Sequence, residues 1–148
     1  MLTHFLQATA RANAVETFLK DQRNIFLVGF MATGKTQVGR ALARRFRRPM
    51  VDADDELESR AGKSIATIFS EDGEETFRAM EKEVIRDLSL RTSHVVAVGG
   101  GAFVDPENRK LMLAKGLVVC LSARPQTVYA RIAGNEYADG AGGEQRPV

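Results

Sequence analysis

Eight residues, GFMATGKT from Gly29 to Thr36, satisfy the pattern G-x-x-x-x-G-K-[ST], and the chemistry of that pattern is phosphate binding. Consecutive backbone N–H groups of such a loop curl around an anion, and the helix that follows adds the partial positive charge of its N-terminus. Lys35 is placed to reach the β- and γ-phosphates of a nucleoside triphosphate, and the Thr36 hydroxyl to ligate Mg²⁺. A second stretch, VDADDELE from Val51 to Glu58, sets five carboxylates beside this anion site. Asp52 and Asp54 lie two apart, so on an extended chain they project to the same side. Mg²⁺ is a hard cation that keeps several waters and accepts one nearby carboxylate. The second carboxylate has a different use: it can accept hydrogen bonds from a polyol and orient, or deprotonate, the hydroxyl that attacks the γ-phosphate. Asp55, Glu56 and Glu58 read as the acidic start of a helix facing water.

Further along, Phe77, Arg78 and Glu81 fall early in one helical run. By itself Arg78 reads as a surface arginine; beside a phosphotransfer site it suits a bidentate clamp on an anionic acceptor. Gly99, Gly100 and Gly101 follow an apolar strand, which implies close approach of backbone to a ligand, unusual torsions, or a plain flexible turn. The basic run RRFRRP (Arg44 to Pro49) reads as a solvated helix end. Cys120, the single cysteine, sits in the apolar run LVVCL and reads as a small core residue, with neither disulfide nor zinc site suggested.

These residues need strands and helices to position them. NIFLVGF (24–30), PMVDA (49–53), HVVAVGG (94–100) and LVVCLSA (117–123) read as strands. Helices are expected at 35–46, 54–61, 64–71, 73–91, 106–115 and from 124 to about 134. Short apolar strands separated by helices point to an α/β fold with a parallel sheet covered on both faces, and ligands in such sheets bind at the carboxyl ends of the strands. Residues 3–20 show helical spacing of apolar side chains and read as an added N-terminal helix. Residues 134–148, rich in glycine, read as a mobile loop.

With 148 residues, 44% hydrophobic and 27% charged, the chain fits one core-forming domain, and a net charge of +2 argues for no nucleic-acid partner. No run of about 18 apolar residues suggests a membrane span, and no secretory signal is evident. A cytoplasmic, reducing setting is expected.

In order and spacing, GFMATGKT, DAD, SIATIFSEDGEETFR and VGGGA resemble shikimate kinase, over roughly Asn24 to Arg131 and again at Arg146–Pro147. The combination of D-x-D, G-x-x-x-F-R and G-G-G is far more specific than the phosphate loop alone. The resemblance implies a P-loop kinase three-layer sandwich with strand order 2-3-1-4(-5), and ATP-dependent phosphorylation of the shikimate 3-hydroxyl in aromatic amino-acid biosynthesis. It implies that Ala32, Thr33, Gly34, Lys35, Thr36 and Gln37 cradle the ATP phosphates. Thr36 and Asp52 would hold Mg²⁺, Asp52 directly or through water, and Asp54 would bind the shikimate hydroxyls and act as base. Arg78 would pair with the shikimate carboxylate, Gly99, Gly100 and Gly101 would contact substrate, and Phe69, Phe77 and Glu81 would shape or brace the pocket. Arg146 would be the lid arginine that joins Lys35 at the ATP phosphates.

Three departures accompany the resemblance. Ala32 stands where the family usually has glycine, at roughly 1 kcal/mol if that position needs positive φ. Gln37 replaces a small hydroxyl residue. The chain stops at Val148, where the family continues through the rest of the lid, a helix with a second substrate-binding arginine, a fifth strand, an adenine-contacting loop and a closing helix. The expectation is a helical extension (1–22) before a shortened kinase domain (23–148, with 134–148 the start of the lid). Such a form would fold its core, leave strand 4 as an exposed edge and turn over weakly or not at all, the full-length form being monomeric. Two alternatives remain: a kinase for another small polyol or acid such as gluconate, and a nucleotide-binding module that does not catalyse.

Overall fold

In the computed structural model, residues 21–139 are described, together with Thr17 and Lys20. The helix expected over 3–20 lies outside the described residues except at Thr17 and Lys20, both helical; Arg146 and the rest of 140–148 lie outside them entirely.

Four strands, β1 (Asn24–Val28), β2 (Met50–Asp52), β3 (Val95–Ala97) and β4 (Gly116–Cys120), form one sheet in the order β2-β3-β1-β4. Every pairing is parallel: Phe26 sits opposite Val96 on one side and Val118 on the other, and Val51 opposite Val96. All five residues of β1 are buried, as a central strand requires. Its side chains alternate between two cores. Ile25 and Leu27 join Val95 against Val38, Leu42 and Phe46 of α1 (Lys35–Phe46), an i, i+4, i+8 stripe. Phe26 and Val28 face the other layer, with Leu57 of α2 (Ala53–Ala61), Ile68 of α3 (Ile65–Glu71), the Phe77, Val84, Ile85 and Leu88 stripe of α4 (Gly73–Leu90) and Met112 of α5 (Pro106–Lys115). A sheet between two helical layers is the three-layer arrangement expected.

Asn24 is a fully buried amide in this apolar setting. Its Nδ2 donates to the Leu88 and Arg91 carbonyls at 3.2 and 2.7 Å, and its Oδ1 accepts from the His94 amide at 3.0 Å. One side chain thus ties β1 to the end of α4 and the entry of β3. Asn24→Ala should cost about 2–3 kcal/mol, because buried backbone groups lose their partners; a urea unfolding midpoint unchanged within error would refute this.

Four expectations need correcting. Arg48 is not solvated: it is buried and donates to the Arg23 carbonyl at 2.6 Å and to that of Asp21, pinning the segment before β1. Arg44, Arg45 and Arg47 are exposed as expected. Cys120 is exposed rather than buried, because β4 pairs only with β1 among the described residues and its far edge meets no further strand. Glu56 and Glu58 are half-buried: Glu56 pairs with Arg60 at 2.8 Å, and Glu58 Oε1 accepts from the Ile65 amide at 2.9 Å, closing the turn into α3. Only Asp55 of the three is exposed. Finally, α6 (Pro125–Asp139) does not stop at Gly134. A lone glycine costs a helix about 1 kcal/mol, and NEYAD after it contains no proline to break the turn.

Candidate active site

The turn between β1 and α1 owes its shape to three left-handed residues. Gly29 has φ 141°, and a Cβ there would lie 2.3 Å from the Leu121 carbonyl oxygen, so the strand's exit tolerates no side chain. Ala32 has φ 58° and Gly34 φ 94°. The positive φ at Ala32 is the strained case anticipated from the sequence, at about 1 kcal/mol relative to glycine. Left-handed residues stand on either side of Thr33, whose amide closes a turn on the Phe30 carbonyl at 3.4 Å, and the amides after it lead into the helix N-terminus, where an anion can be received. Gly34 is also the N-cap of α1; no side chain caps that helix and no acidic residue occupies its first turn, so its N-terminus is left for an anion.

Lys35 folds back over this hollow. Its Nζ donates to the carbonyls of Gly29 at 2.7 Å and Phe30 at 3.0 Å, and the Thr33 hydroxyl also donates to Phe30 at 2.7 Å. Burial lowers the Lys35 pKa, and Asp54 and Asp52 oppose that shift. The ammonium therefore sits partly dehydrated between carbonyls it can exchange for phosphate oxygens.

Asp52 and Asp54 meet the loop in a cleft of about 820 Å³, lined by Ala32 to Val38, both aspartates, Gly99, Gly100 and Arg131 among others. The two acids come together by a different route from the one their spacing suggests. The chain is not extended through them: Asp52 ends β2 and caps α2, and Asp54 stands in the first turn of that helix. Asp52 Oδ1 accepts from the Asp54 amide at 2.9 Å. The capping turn, not strand pleat, aims both at the same cleft.

The three glycines after β3 have their explanation in space. None has a positive φ. A Cβ on Gly99 would lie 2.9 Å from Asp54 Oδ1, one on Gly101 2.8 Å from Arg78 Nη1, and one on Gly100 3.6 Å from the Gly29 carbonyl oxygen. Gly99 and Gly101 make room for an acid and an arginine, while Gly100 lies against the phosphate loop at ordinary contact distance. Gly99 and Gly100 line the cleft; Gly101, Phe69, Phe77, Arg78 and Glu81 do not, though Arg78 and Glu81 reach this turn at Gly101 and Gly99.

Arg78 is held from below. Nη1 donates to Glu81 Oε1 at 2.8 Å, Glu74 lies 3.5 Å from Nε, and the guanidinium stands 5.1 Å from the Phe77 ring centroid. Phe77 in turn packs on Phe69 with centroids 4.6 Å apart. Glu81 is buried, and burial raises its pKa while Arg78 pulls it back. Burial lowers the Arg78 pKa, but Glu81 and Glu74 together carry it above its ordinary value. Arg78 is 40% exposed, so an orienting carboxylate lies beneath it and solvent above. That arrangement can present two parallel donors to a carboxylate.

Reading the sequence missed Arg131. Its Nη1 donates to the Ala32 carbonyl at 2.7 Å from α6, across 99 residues of chain. The available signal was its place on the helix following the carboxyl end of β4, where ligands of such sheets gather.

The sequence model of the shikimate kinase family matches residues 31–140. A shikimate kinase of Burkholderia thailandensis is 49% identical over 108 residues, covering 73% of this chain and 59% of its own. One of Dechloromonas aromatica is 47% identical over 115 residues, covering 78% and 63%. Among solved structures, shikimate kinase from Acinetobacter baumannii in complex with shikimate superposes with a TM-score of 0.76 at 37% identity, over 82% of this chain and 68% of that one. The chain thus spans about three fifths of the length of the curated relatives it matches.

Proposed function

Because the chain belongs to the shikimate kinase family, we propose that it serves ATP-dependent phosphorylation of the shikimate 3-hydroxyl. The observation that carries this reading is the single cleft in which Asp54 faces the phosphate loop across the bare glycine turn.

The loop amides of Ala32 to Gln37 receive the ATP phosphates, and Lys35 leaves its carbonyl partners to follow them. Asp54 takes the proton of the 3-hydroxyl as that oxygen forms its bond to the γ-phosphorus. The bond from γ-phosphorus to the bridging oxygen breaks, and ADP carries the electron pair away. Arg78, braced by Glu81 and stacked near Phe77, pairs with the shikimate carboxylate. Phe69 and Phe77 give the pocket an apolar wall, and Gly99 to Gly101 leave room for the ring. Arg146 completes the phosphate grip from outside the described residues.

Mg²⁺ fits this donor set. The Thr36 hydroxyl and the Asp52 carboxylate are hard oxygen donors lining one cleft. Among the described residues no three His, Cys, Asp or Glu converge on one point, which suits an ion that keeps water and phosphate oxygens in its shell. When bound, the ion would neutralise charge on the β- and γ-phosphates.

Residues 1–22 are assigned to a helical extension and 23–148 to the kinase domain. No helix among the described residues is long and apolar enough to cross a membrane. A cytoplasmic enzyme, monomeric when full-length, is a separate part of the proposal, carried by the family resemblance.

A coupled assay of ADP release with shikimate, and with gluconate as the control acid, tests the reading. ADP release, however slow, should depend on shikimate and not on gluconate. Calorimetry with Mg²⁺-ADP and then shikimate separates a binding module from an enzyme. Equal response to both acids, or nucleotide binding with no shikimate binding, would overturn the substrate assignment.

A further inference from the structure

Ala32 occupies a conformation that an alanine disfavours, and of the two bonds on the peptide that follows it, the long one from the Thr33 amide to the Phe30 carbonyl at 3.4 Å is internal to the loop and the short one comes from outside it. Within the turn, the Gly29 and Phe30 carbonyls are taken by Lys35 and Thr33. The Ala32 carbonyl is taken by Arg131 Nη1 of α6 at 2.7 Å, and that nitrogen also lies 3.9 Å from where a Gly34 Cβ would stand. Rotating the peptide between Ala32 and Thr33 would release the strain at Ala32. It would also break the 3.4 Å bond from the Thr33 amide to the Phe30 carbonyl and swing the Ala32 carbonyl off Arg131, disturbing the turn that leads the following amides into the helix N-terminus where an anion must sit.

We propose that Arg131 is a positioning residue for the phosphate loop: by holding the Ala32 carbonyl it blocks that peptide rotation and keeps the loop amides aimed into the cleft before any ligand arrives. The proposal rests on the reading of Gly29–Thr36 as a phosphate loop. It concerns a device that this chain needs because position 32 carries a side chain. A loop competent for only a fraction of the time binds more weakly by that fraction. Arg131 thus acts on affinity through Ala32 and not only by its own charge.

The test is a double-mutant cycle on the 148-residue chain, with inorganic tripolyphosphate as the probe so that contacts to a nucleobase do not enter. By calorimetry, Arg131→Met should weaken tripolyphosphate binding about fivefold, the expectation if the unheld loop is competent about one fifth of the time. Arg131→Lys, which keeps one donor, should stay within about twofold. With Ala32→Gly already in place, the strain is relieved and Arg131→Met should cost less than about twofold. In ¹⁵N spectra of the ligand-free protein, Arg131→Met should shift or broaden Thr33 and Gly34, and Ala32→Gly should make those two amides insensitive to it. An equal loss in both backgrounds would assign Arg131 a direct phosphate contact and overturn the positioning role; so would unchanged loop amides in the ligand-free spectrum. If the unsubstituted chain fails to bind tripolyphosphate, the phosphate-loop reading falls, while the ligand-free spectrum still judges the contact between Arg131 and Ala32.

Discussion

Asp54→Asn should lower shikimate-dependent ADP release by about two to four orders of magnitude, the span of a positioned general base, while Mg²⁺-ADP affinity changes by less than about twofold. Asparagine keeps the size of the side chain, so its Oδ1 can still pack against the Gly99 backbone, where a Cβ would stand at 2.9 Å. What it loses is the ability to accept a proton, and with it one negative charge facing Lys35. Turnover and nucleotide affinity therefore separate. If nucleotide binding is lost and the fold remains intact, the roles of Asp52 and Asp54 have been exchanged. If turnover survives within tenfold, Asp54 orients the hydroxyl without taking its proton.

The second large effect is on folding. Gly29→Ala should destabilise the chain by about 3 kcal/mol or more, the sum of a φ that alanine avoids and an overpacked contact. The clash is with backbone: the new Cβ would lie 2.3 Å from the Leu121 carbonyl oxygen and 3.2 Å from its carbon. Leu121 N in turn donates to Val28 O at 2.8 Å, so relief would pull apart the pairing of β1 with the exit of β4. Stability of a domain totals only about 5–15 kcal/mol, so the loss is a sizeable fraction. Gly62→Ala is the internal comparison. Gly62 also has positive φ, 68°, but a Cβ there meets nothing within 4 Å; its cost should stay near 1 kcal/mol. Equal shifts in urea midpoint for the two variants would show that the contact with Leu121 carries no weight.

Much of this molecule was legible along the chain because the relevant physics is local. The helices at 35–46 and 106–115 begin and end where apolar period and terminal residues placed them. The strand–loop–helix context of GFMATGKT was readable because amide direction and the helix N-terminus depend on a few consecutive torsions. The acidic start after β2 was readable for the same reason, but the aim of Asp52 and Asp54 was not. It follows from a helix cap that begins one residue earlier than expected, with Ala53 already helical.

The sequence by itself determined the order of strands and helices, the phosphate loop, the two aspartates and the resemblance that carries their roles, since these rest on period, propensity and motif. Only tertiary structure decided that Arg48 is buried, that Cys120 is exposed and that Glu58 closes a turn onto Ile65. It alone showed that Gly99 and Gly101 make room for Asp54 and Arg78, and it alone brought Arg131 to Ala32. Each of these depends on which distant surfaces pack together, and a contact across 99 residues leaves no periodic trace in the chain that makes it.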